Sequence, residues 1–151
     1  MKEVFEITQT SRTLLSQLIE NLTLEQFNTI PAGFNNNIIW NIGHIIVVQQ
    51  MLVYNLSGLP MSISADCVAR YKKGTKPTGN ASEAEVEMLK ELLFSTIKQT
   101  ETDFENGVFK NFTSFTVMTG FVIKNANDAI AFNYYHEALH TGVIMSLKKL
   151  I

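Results

Sequence analysis

The chain has 151 residues, 46% hydrophobic and 17% charged, with a formal net charge of −2. That balance suits a single folded domain over residues 1–151 and excludes a disordered chain. The basic residues are scattered, the densest group being Lys72, Lys73 and Lys76, which excludes a nucleic-acid footprint. Apolar runs as short as Ile45–Val48 exclude a membrane span.

Met1–Glu6 carries acids where a signal peptide would have an apolar run, and Cys67 is the single cysteine. Both fit a reducing cytoplasm. The first helix is expected over 2–21, with Val4, Ile7, Ser11, Leu14, Leu15, Leu18 and Leu22 at three- and four-residue spacing. Thr23 with Gln26 three residues on predicts a capping box and a short turn of helix to Phe27. Pro31 and Gly33 then break the chain.

A second long helix is expected over 35–56, capped by one of Asn35, Asn36 and Asn37 and stopped by Ser57–Pro60. It carries Trp40, Asn41 and His44. Its apolar residues exceed one stripe: Ile38, Ile39, Ile42, Ile45, Ile46, Val47 and Val48. A helix in a monomeric bundle needs one such stripe, so the surplus predicts a homodimer.

Residues 61–81 are the least regular, with a short helix expected over Ser64–Tyr71. Cys67 lies there without a neighbouring histidine, and reads as an ordinary thiol. The loop Lys73–Gly79 has two glycines but neither the spacing of a phosphate-binding loop nor a flanking strand. A third helix is expected over 82–105, with Ser82 and Glu85 as a capping box. Residues 108–123 read as an ordered crossover anchored by phenylalanines rather than as a sheet. The fourth helix, over 125–149, takes Asn125 or Asn127 as its cap. Four long helices with one long crossover predict an all-α four-helix bundle.

The chemistry lies in the fourth helix. His136 and His140 are four residues apart, which puts them on one helix face, roughly 40° apart and about 6 Å along the axis. The chain has one other histidine, His44, on or near the buried face of the second helix. Each alone suits core packing, but together they form a metal-ligand set. Neutral imidazole binds Zn, Ni or Fe(II), and three such ligands leave a coordination position free, the catalytic pattern. His136-Glu137-x-x-His140 also matches a zinc-protease helix motif. A protease of that type needs a further ligand downstream, and Thr141–Ile151 contains no Glu, Asp, His or Cys. Glu137, rotated about 100° from His136, is the candidate general base or a partner behind the ligands, the alternative being a solvated or dimer-facing position, with Asn41 and Asn133 as candidate proton-handling or orienting groups. A di-iron centre is disfavoured because Asn41 stands where its second Glu would be.

Trp40-Asn41-Ile42-Gly43-His44-Ile45 on the second helix, followed by His136-x-x-x-His140-x-Gly142 on the last, resembles the DinB-like superfamily. The resemblance covers essentially the whole chain. It implies an up-down-down-up helix order, a homodimer, and a divalent metal held by His44, His136 and His140. It also implies activities like those of thiol S-transferases and isomerases using bacillithiol or mycothiol, or of metal-dependent hydrolases. The leading expectation is therefore a metal-dependent enzyme that activates water or a low-molecular-weight thiol against a small-molecule substrate. The alternative is a non-catalytic metal or small-ligand binder of the stress response. A third reading is a structural dimer whose histidines only pack the core.

Overall fold

The computed structural model describes residues 1–151. It is mostly helical: α1 (Lys2–Ile19), α2 (Leu24–Asn28), α3 (Ile38–Val53), α4 (Ala65–Tyr71), α5 (Glu83–Glu105) and α6 (Ala126–Lys148). The one sheet is a pair of two-residue antiparallel strands, β1 (Phe115–Thr116) and β2 (Val122–Ile123), with Phe115 opposite Ile123. The 108–123 segment thus contains a minimal hairpin, turned at Gly120 with φ +86°, where the sequence predicted none. Phe109 and Phe112 still pack as partly buried anchors against the core.

The helix ends follow local chemistry. Thr23 and Gln26 form the reciprocal capping box. Asn37 caps α3 by accepting from the Trp40 N–H, Ser64 caps α4 and Asn125 caps α6. At α5 only half of the expected box forms. Ser82 Oγ accepts from the Glu85 N–H, but the Glu85 carboxylate turns instead to the Tyr71 hydroxyl and to Arg70.

Two sequence expectations change in three dimensions. The buried face of α1 is Phe5, Thr8, Arg12, Leu15 and Ile19. Ile7 and Leu14, assigned inward by spacing, are 45% and 47% exposed. The helix is rotated because Arg12 goes inside. The surplus apolar surface of α3 is also covered within the chain: Ile38, Ile39, Ile42, Ile45, Ile46 and Val47 are all buried. The short helices α2 and α4 pack on α3 beside α5 and α6. That surplus therefore needs no second subunit.

The core is layered. One apolar cluster joins Leu15 and Ile19 of α1, the apolar residues of α3 from Ile38 to Val47, the start of α5, and Ile144 and Leu147 of α6. A smaller one joins Phe5, Leu52, Val53, Ile97, Ala129 and Ile130. Between them every long helix turns polar inside: Thr8 and Arg12, Gln49 and Gln50, Thr96 and Thr100, and Asn133, Glu137 and Thr141 are all buried. Buried polar groups must be hydrogen-bonded to be tolerated, so this belt dictates how the helices meet.

Candidate metal centre

The packing of α3 on α6 brings the three histidines together. One potential ligand nitrogen from each of His44, His136 and His140 lies within 4.8 Å of the others. The rings sit face to edge, with centroids 4.6–5.2 Å apart. Two helices contribute them, so the cluster exists only when α3 and α6 are docked.

The hydrogen bonds around the rings fix which nitrogen is free. His44 Nδ1 lies 2.6 Å from the Tyr71 carbonyl oxygen. A carbonyl only accepts, so His44 Nδ1 carries the proton and Nε2 keeps its lone pair. His140 Nδ1 lies 2.8 Å from Asn41 Oδ1. Asn41 donates its amide nitrogen to the Asn37 carbonyl at 2.7 Å, which turns its oxygen toward His140. His140 is therefore also a donor at Nδ1, with its lone pair on Nε2. Asn41 is thus an orienting group.

His136 differs. Its Nδ1 is buried and has no hydrogen-bond partner in the chain; three residues earlier, Asn133 Oδ1 is likewise buried and unpaired. An unpaired buried polar atom costs about 1–3 kcal/mol, so a bound group at this point would relieve the cost. Burial lowers the pKa of His136 to about 3, with His140 and His44 adding repulsion. Burial, then His44, lowers that of His140 to about 4. His44 is lowered by burial, partly offset by its bond to Tyr71. All three are neutral near pH 7, the form that donates to a metal. Two nitrogens oriented by outer partners, one buried nitrogen without a partner and three neutral rings fit a divalent transition metal.

Glu137 does not join the rings. Arg12 Nε donates to Oε2 at 2.9 Å and Arg12 Nη2 to Oε1 at 2.6 Å, a bidentate pair in which both side chains are nearly inaccessible. Asn133 Nδ2 adds a third bond at 2.6 Å. The remaining Arg12 nitrogen donates to the Leu93 carbonyl and to Thr96 Oγ1. Arg12 is the partner that sequence reasoning missed. Its signal was present: it stands in register with Phe5, Leu15 and Ile19.

Two further groups support His44. Trp40 stacks on its ring, with centroids 4.6 Å apart and planes 13° from parallel. Gly43 lets Tyr71 approach: a Cβ there would lie 2.4 Å from Tyr71 Cγ. The Tyr71 ring therefore lies against the α3 backbone, and its carbonyl reaches His44. Cys67, buried in α4, has its thiol pushed up to about 11 by burial and then by Glu85, so it is an inert packing group.

A family model described as the DinB superfamily matches residues 7–144. No curated protein matches the chain.

Proposed function

The chain belongs to the DinB superfamily, and from that premise we propose a metal-dependent enzyme whose centre is His44, His136 and His140. The carrying observation is the direction of the ring protons. His44 and His140 each give Nδ1–H to an oxygen of the chain, which leaves the lone pair on Nε2, in a cluster whose ligand atoms lie within 4.8 Å of one another. His44, His136 and His140 would hold a divalent ion such as Zn, Ni or Fe(II), which would lower the pKa of a water or low-molecular-weight thiol. The protein's own part is to hold the rings neutral, to orient them through Asn41 and the Tyr71 carbonyl, and to shield one face of His44 with Trp40. We assign Glu137 an anchoring role: with both oxygens accepting from Arg12, it fixes the rotation of α6 that presents His136 and His140. The substrate class is a small molecule, and the reaction hydrolysis or thiol transfer. Up-down-down-up order of the four long helices, a single domain over 1–151 and a homodimer complete the proposal. The apolar side chains Tyr135, Leu139 and Met145, exposed along α6, support the homodimer.

Elemental analysis of purified, untagged protein tests the centre. The expected result is about one divalent metal per chain, lost in His44→Ala, His136→Ala and His140→Ala alike. Metal content unchanged in His44→Ala would overturn the three-histidine assignment. Turnover by the loaded protein of thiol-plus-electrophile pairs, or of ester and amide panels, separates an enzyme from a metal-binding protein.

A further inference from the structure

The loop that follows α4 encloses a pocket of about 390 Å³, which none of the three histidines lines. Its volume falls in the range of small-molecule sites, about 300–1,000 Å³. Its walls are fixed by bonds at both ends. Trp40 Nε1 donates to Thr75 Oγ1 at 3.0 Å, and Thr75 Oγ1 donates back to the carbonyls of Arg70 and Lys72. At the far end the Asn28 side chain holds both the N–H and the carbonyl of Ala81, at 2.7 and 3.0 Å. The pocket is preformed.

Most of its polar groups are already committed. Asn37 accepts from Trp40 N–H and donates to the Asn28 carbonyl. The Tyr71 hydroxyl donates to Glu85. What remains is the Thr78 hydroxyl and two cations. Lys76 makes no ion pair, and Arg70 meets Glu85 through Nη1 only, 3.0 Å away. The lining contains no Asp or Glu, while Ile39, Trp40 and Pro77 supply apolar and aromatic surface. We propose that this pocket binds a small organic anion, its carboxylate or equivalent group at Lys76 and Arg70 and its apolar body against Trp40. Charge on the rim and an apolar wall recognise that chemistry, whereas a fully hydrated inorganic anion gains nothing from the wall. The site also abuts the histidine cluster: Trp40 stacks on His44, and the Tyr71 carbonyl holds its ring proton.

Trp40 is the only tryptophan, so its emission and its indole N–H resonance both report this pocket. Chelator-treated full-length protein is titrated with benzoate, with benzyl alcohol as the neutral control and inorganic phosphate as the charge-only control. Benzoate should give a saturable change in emission and move the indole resonance. The two controls should respond at least tenfold more weakly, and Lys76→Glu, a surface change, should weaken benzoate roughly tenfold. Equal responses to benzoate and benzyl alcohol, or an unchanged affinity in Lys76→Glu, overturn the proposal. So does benzoate binding that appears only after metal loading and vanishes in His136→Ala, because the ligand then belongs to the metal. Binding by chelated protein stands whether or not the histidines hold an ion, so the two readings fail separately.

Discussion

Helix α6 carries two polar constellations interleaved over about two turns, and they are built on opposite principles. The Glu137 carboxylate is satisfied by the chain itself, through Arg12 and Asn133 Nδ2. Arg12 covers both carboxylate oxygens, and the Thr141 hydroxyl closes back on the Glu137 carbonyl. His136 and His140 are oriented but left incomplete, with Nε2 of His140 free and Nδ1 of His136 without a partner. A network closed within the chain specifies a fold. A network left open at converging lone pairs specifies a ligand. Spacing alone does not distinguish them, since His136, Glu137 and His140 share one motif.

Breaking the closed network should have the largest effect on the fold. Arg12→Ala leaves Glu137 buried without its counter-charge, and the expected loss is about 3–5 kcal/mol of unfolding free energy. Urea denaturation measures it. Replacing both partners with apolar residues of similar volume should recover much of that loss. An Arg12→Ala protein as stable as wild type would mean that the pair does not anchor α6.

The support beneath His44 should come next. Gly43→Ala sets a methyl carbon against the Tyr71 ring, an overpacking expected to cost about 1–3 kcal/mol. It also displaces the carbonyl that accepts the His44 proton. Nitrogen NMR of the metal-free protein should then show His44 shifting from the Nδ1–H tautomer toward a mixture. A retained Nδ1–H tautomer would remove Gly43 and Tyr71 from the account of the site.

Asn41→Ala addresses the open network without touching the closed one. Loss of an outer-shell partner typically lowers metal affinity about 10–100-fold, while stability of the metal-free protein should fall far less than in Arg12→Ala. Competition with a fluorescent chelator gives the affinity.

The acid response of the metal-free protein is absent at neutral pH and develops only as the rings take up protons. The folded-state values for His136 and His140, about 3 and about 4, lie below the ordinary 6.5. The unfolded chain therefore binds protons first. The stability that these rings support is fully present above pH 6.5 and declines as pH falls through the folded values. His136→Ala should shallow that decline, as read from denaturation midpoints across the window. An identical slope in the variant would show that the ring is not buried as described.

The sequence by itself determined the helices and their stops. The caps at Thr23, Asn37 and Asn125, the last two read from the sequence only as one among neighbouring asparagines, are local hydrogen bonds between residues three apart, so placing them needs no tertiary knowledge. The sequence also determined the histidine set, since scarcity and four-residue spacing are properties of the string. Tertiary structure decided what those residues touch. The rotation of α1 depends on Arg12 entering the core to meet a carboxylate 125 residues away, and an amphipathicity argument sends an arginine outward. The covering of α3 depends on α2 and α4 folding over it, which turned a predicted subunit interface into intrachain core. The free nitrogen of each imidazole depends on whether a carbonyl, an amide or nothing faces the other one, a fact of packing that spacing does not contain.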